Sequence, residues 1–236
     1  MTKAWASQGQ TNPDYVSRVH IDNARGPETL AQDLWTFMVP ELSLMATPHK
    51  PAQLVILCVG TDRSTGDSLG PLVGTKLLES YRLPPGVQVL GTLEQPVHAG
   101  NLEKYAELLQ QKHQHSYVLA LDACLGKSEN IGYITAKEGP LKPGTGVNKQ
   151  LVEVGTSHLI GVVNVGGFME YFVLQNTRLS LVMRMAQVMV DALAGLLYMY
   201  QRTLYPCAVN KGTHHISIPF SSGSWESVPV APSKIE

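Results

Sequence analysis

The chain has 236 residues, of which 44% are apolar and only 16% are charged, and its formal net charge is −1. That length and apolar content fit one large α/β domain with a full hydrophobic core. The near-neutral charge removes the electrostatic reason to expect direct nucleic-acid binding. Cys58, Cys124 and Cys207 have spacings that suit neither a zinc site nor a disulfide framework, so we expect reduced thiols inside the cell.

Targeting and membrane signals are weak. Met1–Gln10 has no charged head followed by an apolar run, so we expect no secretory signal. The most apolar helical stretch ends at Ala192–Tyr200 and is interrupted upstream by Arg184, Gln187 and Asp191, which predicts a segment too short to span a bilayer. We therefore expect a cytoplasmic protein with no membrane partner.

The first predicted elements of the domain alternate between helix and strand. Pro27 suits the first position of a helix. The branched, apolar run Gln53–Val59 is typical of a strand that is covered on both faces. A glycine-rich loop then leads to Pro71, which opens a second helix, and Gly86–Leu90 predicts a second strand.

The same alternation continues and fixes the fold class. Asn101 is placed to cap a third helix, and Tyr117–Leu121 predicts another buried strand that ends at Asp122. This order predicts a three-layer αβα sandwich with a mostly parallel sheet. The remaining predicted elements are strands at Ile131–Ala136 and Ser157–Val165 and a long helix from about Thr177 to Tyr200, whose apolar stripe we assign to the core.

The domain boundaries follow from composition. Residues 1–26 are predicted to be an N-terminal extension, residues 27–205 a single α/β domain, and residues 206–236 a Pro- and Ser-rich tail that either packs as an extended arm or is loose. His214 and His215 lie in this tail. Adjacent residues of an extended segment point to opposite faces, which argues against a shared metal ion.

Two acidic residues follow the predicted strands at positions where they can carry chemistry. Asp67 lies in the loop after the first strand of the parallel sheet, and Asp122 ends the strand Tyr117–Leu121. Ligands of open parallel sheets bind beyond the carboxyl ends of the strands. Two carboxylates at that edge can share a proton and activate water, one as base and one as acid. Their mutual repulsion would raise one of the two pKa values.

Each carboxylate also has an ordinary structural interpretation. Asp67 could cap the helix that begins near Pro71, and Asp122 could close a turn. The glycines at positions 60, 66, 70 and 74 form neither a GxGxxG motif nor a Walker motif with its lysine, so a nucleotide site is only weakly indicated.

Four segments carry a resemblance to a known family. Val59–Pro71 (VGTDRSTGDSLGP) is similar to the first loop of the germination protease of spore-forming bacteria, and Leu121–Cys124 resembles that family's second catalytic-aspartate strand. Pro143–Val147 resembles its Pro-Gly-Ser-Gly-Val segment, and Ile160–Val165 its following strand. The four segments occur along the chain in the same order as in that family. The chain also resembles the small sporulation proteins of the YyaC type.

The resemblance implies a phosphorylase/hydrolase-type fold that is shared with hydrogenase maturation endopeptidases. By position, Asp67 and Asp122 would match the two aspartates of an atypical aspartic peptidase that needs no cofactor. The implied partner is a protein or peptide substrate, with small acid-soluble spore proteins as its class, and a homo-oligomer stays open. One departure concerns Asn148–Gln150, where the germination protease has a histidine and an arginine.

A second alignment concerns His158. Thr156–Gly161 resembles the Ser-His loop that supplies a nickel ligand in hydrogenase maturation peptidases, so Asp67, Asp122 and His158 form an alternative metal site. The germination-protease alignment instead places His158 at the start of a strand, at the wrong edge of the sheet, with a structural role. We favour the structural role.

Three further residues are expected to line a substrate pocket. His98 and Asn101 follow the second strand of the parallel sheet, and Asp62 lies in the first loop. The leading functional hypothesis is therefore a peptidase of spore formation or germination. The alternatives are a metal-directed maturation endopeptidase and a catalytically silent sporulation scaffold that binds a partner.

Overall fold

The computed structural model describes residues 16–47, 52–144 and 151–205. The predictions for Cys207, His214–His215, residues 206–236 and Asn148–Gln150 concern positions outside these residues. The described strands are β1 (Val16–His20), β2 (Gln53–Cys58), β3 (Val87–Leu90), β4 (Ser116–Gly126), β5 (Tyr133–Glu138) and β6 (Ser157–Val165). The described helices are α1 (Gly26–Met45), α2 (Leu69–Ser80), α3 (Leu102–Lys112), α4 (Glu170–Gln175) and α5 (Leu179–Leu204).

The six strands form one sheet in the order β1-β5-β6-β4-β2-β3. β6, β4, β2 and β3 pair in parallel, whereas β5 runs antiparallel to both of its neighbours. The predicted mostly parallel sheet is confirmed. The structure has one strand that was not predicted, β1, which lies within residues 1–26 and forms the edge strand next to β5.

Helices cover both faces of the sheet, which confirms the predicted αβα sandwich. α1, α2 and α5 pack on one face, where their apolar side chains meet Leu54, Ile56, Leu119 and Leu121 of β2 and β4. α3 packs on the other face, against Val118 and its neighbours. The alternate residues of a strand point to opposite faces, so each fully apolar strand contributes to both cores.

The long helix α5 is the main core helix of the first face. Its predicted apolar stripe is buried, including Val182, Ala186, Met189 and Leu193. By length and composition α5 is apolar enough to cross a membrane, so the expectation that it is too short is wrong. However, 56% of its most apolar window is buried inside the protein, and the helix packs along α1 and α2. These contacts are those of a core helix.

One buried hydrogen bond ties the C-terminal end of α5 to the start of the parallel strands. The Tyr200 hydroxyl donates to the Ala52 carbonyl at 2.6 Å and lies 3.2 Å from the Pro85 carbonyl. Ala52 directly precedes β2, and Pro85 lies just before β3. The bond therefore fixes the helix along the sheet.

We predict that Tyr200→Phe lowers the free energy of unfolding by about 1 to 3 kcal/mol, because it leaves a buried carbonyl without its donor. Tyr198→Phe is the matched control. The Tyr198 hydroxyl only accepts a bond from Arg202 on the exposed side of the same helix, so its loss should change stability by less than about 0.5 kcal/mol. Urea unfolding followed by circular dichroism measures both; equal effects of the two variants would contradict this role.

Candidate functional site

The site lies where the chain reverses its direction across the sheet. From β2 the chain crosses through α2 on one face to β3, and from β3 it returns through α3 on the other face to β4. The loops after β2 and β4 therefore separate at the boundary between these neighbouring strands. Such a switch point leaves a crevice at the carboxyl ends of the strands, where open α/β sheets bind ligands.

The loop after β2 is held close to the sheet by glycines. Thr61 donates its backbone N–H to the Asp67 carbonyl at 3.0 Å. Gly60 has φ 143°, and a Cβ there would lie 2.0 Å from that same carbonyl oxygen. A Cβ on Gly70 would lie 2.0 Å from the Val59 carbonyl oxygen. Only glycine permits this close approach, which fixes Asp67 beside the end of β2.

Asp67 does not act as a helix cap in this loop. It lies inside a short 3-10 turn, Gly66–Ser68, and the N-cap residue of α2 is Ser68, which makes no side-chain capping bond. Burial raises the pKa of the Asp67 carboxyl, and the nearby Ser64 hydroxyl partly offsets this rise. The capping interpretation is therefore not what the structure supports.

Asp122 lies inside β4 and does not end it, so the predicted strand end was wrong. The strand runs four residues further, to Gly126, because β6 continues to pair with it there. Partnering by β2 ceases earlier: Cys58 pairs with Leu121, and Val59 donates its N–H to the Leu121 carbonyl at 2.7 Å. Asp122 is thus placed where β2 turns away and one side of β4 becomes free.

The pKa of Asp122 is raised to about 8. Burial is the largest cause, the Ala123 backbone N–H lowers the value, and the negative charge of Asp67 raises it. That N–H donates to the carboxylate at 2.8 Å. The expected repulsion between the two carboxylates is present, but it is smaller than the effect of burial. At neutral pH, Asp122 is mainly protonated.

Asp67 and Asp122 line one cavity of about 1060 Å³. Its floor is formed by the carboxyl ends of β2 and β4 and by the start of β6, and residues 137–144 form one wall. α4 adds Glu170, Tyr171 and Leu174 to the lining. α4 was not predicted, because a six-residue helix gives too short a periodic pattern.

His98 is the one predicted pocket residue that lines this cavity. Its Nδ1 accepts the Gly100 N–H at 3.1 Å, so the proton of the neutral ring lies on Nε2. Asn101 does not line the cavity: its side chain accepts the His98 N–H at 2.8 Å and donates to the Pro96 carbonyl at 3.0 Å. Asp62 is exposed and does not line it either. The expectation that Asn101 and Asp62 line the pocket was wrong, because their loops turn both side chains away from the cavity.

His158 also lines the cavity, so its predicted place at the wrong edge of the sheet is incorrect. β6 is staggered: its first residue, Ser157, pairs with Leu119, and Ile160 pairs with Asp122. The start of β6 therefore lies beside the middle of β4, where His158 pairs with Ala120, two residues before Asp122. His158 Nδ1 donates to the Gly139 carbonyl at 2.8 Å, which leaves the Nε2 lone pair free of that bond. Burial lowers the pKa of the ring, which favours the neutral form.

The described residues do not assemble the alternative metal site. No group of three His, Cys, Asp or Glu side chains among residues 16–47, 52–144 and 151–205 could hold a metal ion together. The donor set Asp67, Asp122 and His158 therefore does not fit a bound metal, although all three side chains reach one cavity.

The cysteine of the cavity is not a nucleophile in this arrangement. Cys124 lies two residues after Asp122 and lines the same cavity. Burial, and next the charge of Asp122, raise the pKa of its thiol to about 11, so the thiolate is scarce at neutral pH. Cys58 is fully buried, as expected for a core residue, and burial raises its pKa to about 12.

A family model described as "Protein of unknown function (DUF1256)" matches residues 28–192. The chain belongs to this family. Among its relatives is the uncharacterized protein YyaC of Bacillus subtilis (strain 168), which is 52% identical over 152 residues, or 64% of this chain and 72% of the relative. The resemblance to YyaC-type proteins is confirmed.

Solved structures that are similar to this chain include a maturation protease. It is the NiFe hydrogenase maturation protease HycI from Thermococcus kodakarensis KOD1, at 16% identity and a TM-score of 0.35, covering 60% of this chain and 92% of that chain. A likeness at this level carries no argument about activity or site residues.

The raised pKa of Asp122 predicts a pH-dependent stability. Folding holds a proton on Asp122 that the unfolded chain releases, so wild-type stability should fall as the pH rises from about 3.8 to about 8. Asp122→Asn removes this proton linkage. The free energy of unfolding of the variant relative to wild type should therefore rise across that pH range, by at least about 1 kcal/mol.

Urea unfolding of wild type, Asp122→Asn and Asp191→Asn at pH 4, 6 and 8 measures this difference. Asp191 is a control carboxylate on α5, outside the cavity, and its pKa is raised mainly by burial. The pH dependence should be larger for Asp122→Asn than for this control. A difference from wild type that stays constant with pH would contradict a buried, protonated Asp122.

Proposed function

We propose that this protein is a peptidase in which Asp67 and Asp122 activate a water molecule. The observation that carries the proposal is that two carboxyl groups in different environments line one large cavity at the switch point of a parallel sheet. Different environments divide acid and base roles between two carboxyl groups in hydrolases that use such pairs.

The environments assign the roles. The pKa of Asp122 is raised more than that of Asp67, so Asp122 enters the reaction protonated and acts as the acid. Asp67 is closer to solvent and serves as the base. Asp67 takes a proton from water, the water oxygen adds to the peptide carbonyl carbon, and Asp122 gives its proton to the carbonyl oxygen. When the tetrahedral gem-diol intermediate collapses, the C–N bond breaks and the leaving nitrogen takes up the proton that Asp67 received. One hydroxyl of the gem-diol returns its proton to Asp122 as it becomes the carbonyl of the new carboxyl group, so both acids regain their starting protonation.

Of the two histidines that line the cavity, His98 can take part in this reaction. Its Nδ1 accepts the Gly100 N–H, so Nε2 can donate a hydrogen bond within the cavity, where oxygen develops negative charge. The His158 ring is bonded through Nδ1 to the Gly139 carbonyl, and we assign it no part in the proton transfers.

The cavity volume supports a peptide over a small metabolite. About 1060 Å³ lies at the upper end of the range for small-molecule sites, and the lining extends from residues 137–144 across the acid pair to α4. The substrate class that we propose is protein in the cytoplasm of a sporulating cell or developing spore, as the resemblance to the germination protease implies.

The proposal predicts a loss of cleavage in each single acid variant. Wild type should cleave an unfolded protein such as reduced, carboxymethylated lactalbumin, and Asp67→Asn and Asp122→Asn should each lower kcat/KM by about 100-fold or more, because each removes a proton-transfer group. The readout is the appearance of new amino termini.

Two controls separate this function from the alternatives. His158→Ala should retain cleavage within about threefold, and a chelator should have no effect, because no metal step is involved. Stoichiometric metal that is lost in His158→Ala would instead favour a metal-directed maturation endopeptidase. Cleavage that persists unchanged in both Asn variants would overturn the acid pair, and undetectable cleavage by wild type would favour the silent scaffold.

A further inference from the structure

A cluster of exposed apolar side chains borders the cavity at α4. Phe168 is 81% exposed, Met169 58%, Tyr171 66% and Phe172 55%. We call these four residues the apolar lip. Folded proteins rarely expose a contiguous group of large apolar side chains unless it is a binding surface. The lip is therefore a feature that core packing does not explain.

The backbone of the lip is held in an unusual conformation. Met169 is the one described non-glycine residue with positive φ, at 47°, and it directly precedes α4. Gly167 has φ 117°, and its N–H donates to Glu170 Oε1 at 3.1 Å. A bulky side chain in the left-handed region is an outlier, and such strain is concentrated at functional sites. The turn holds these apolar side chains in solvent.

The lip is attached to the element that carries Asp67. Leu174 is the buried residue of α4, and a Cβ on Gly66 would lie 2.7 Å from its Cδ2 and 3.0 Å from Thr177 Oγ1. Asn164 of β6 donates to that same hydroxyl at 3.2 Å. Gly66 directly precedes Asp67. α4 is therefore fixed to the 3-10 turn of the acid pair, with its apolar residues outward.

Two properties indicate what covers the lip. Tyr171 belongs to both the lip and the cavity lining, so the apolar surface continues into the cavity that holds the acid pair. Residues 168–175 (FMEYFVLQ) contain one acidic and no basic residue, so they lack the charge that attracts a protein to anionic lipid. The occupant must therefore be apolar and must extend into the cavity.

We propose that the apolar lip binds an extended, apolar segment of a protein substrate and directs the adjoining peptide bond to the acid pair. This inference rests on the proposed function for the identity of its occupant. The lip selects protein segments with large apolar side chains beside the bond to be cleaved. Such segments are exposed in unfolded or locally opened proteins, so folded proteins are poor substrates.

Binding of a peptide tests this proposal independently of cleavage. The probe is a fluorescein-labelled decapeptide that alternates Leu or Phe with Ser, and its control has Ser in place of every Leu and Phe. Asp67→Asn is the background, which prevents turnover. Fluorescence anisotropy should show binding of the apolar peptide, and adding Phe168→Ser and Phe172→Ser should raise its Kd by about tenfold or more, as expected for the loss of aromatic anchors.

Leu44→Ser is the matched control, because Leu44 is an apolar residue of α1 that is 87% exposed and does not line the cavity. It should leave the Kd unchanged. Circular dichroism shows whether each variant is folded. Phe168 and Phe172 are both exposed, so their replacement should not lower the melting temperature.

The other occupants give distinct results. A wild-type dimer in sedimentation velocity that the lip variants convert to monomer would overturn the proposal in favour of a subunit interface. Flotation with phosphatidylcholine vesicles that the lip variants abolish would overturn it in favour of a membrane. Equal Kd values for both peptides, or no binding to either, would also overturn it. If the lip variants weaken peptide binding but wild type cleaves no protein, the lip is a binding surface and the proposed peptidase function is wrong. If wild type cleaves protein and the lip variants cleave it equally well, the peptidase function is supported and the role of the lip is wrong.

Discussion

The arrangement of the site depends on the hydrogen bond that joins the end of β2 to the middle of β4. Val59 donates its N–H to the Leu121 carbonyl at 2.7 Å, and from that point the two strands separate. β2 turns through Gly60 into the loop of Asp67, whereas β4 continues and presents Asp122. The two glycine contacts, at Gly60 and Gly70, then keep the loop against this strand end. This backbone path brings both carboxyl groups to one cavity.

This placement has a cost that the core must offset. A carboxyl group without full hydration is disfavoured when charged, so Asp122 retains its proton at neutral pH. A buried acid of this kind does not contribute to the packing of the fold, which instead depends on the two apolar cores and on α5. Groups that cost stability while they line a cavity are typical of sites retained for function.

The sequence predicted the layers well, because the parallel strands are continuous apolar runs and the helices are long enough to show a period. Gln53–Val59, Tyr117–Leu121 and Ser157–Val165 each correspond to a strand in the structure. β1 was missed because Val16–His20 is short and alternates exposed and buried residues. An edge strand of that length lacks a strong apolar signal.

The sequence predicted that both acids lie at one edge of the sheet, and both line the cavity, but the rest of the lining was not predicted. Where a strand ends depends on how long its neighbours pair with it, so the position of Asp122 inside β4 and the stagger of β6 that brings His158 into the cavity could not be read from one segment alone. The outward turn of Asn101 depends on bonds within its own loop. The apolar lip on α4 resembles ordinary core sequence until its exposure is known.

The coupling of the two acids is the central claim, and carboxyl carbon-13 NMR titration of Asp122 tests it most directly. In wild type the pKa of Asp122 should be well above 3.8, near 8. In Asp67→Asn it should fall, because one cause of the rise is removed, and yet stay above 3.8, because burial is the larger cause. An ordinary pKa in wild type, or a pKa that does not change in Asp67→Asn, would contradict a coupled pair in a partly dry cavity.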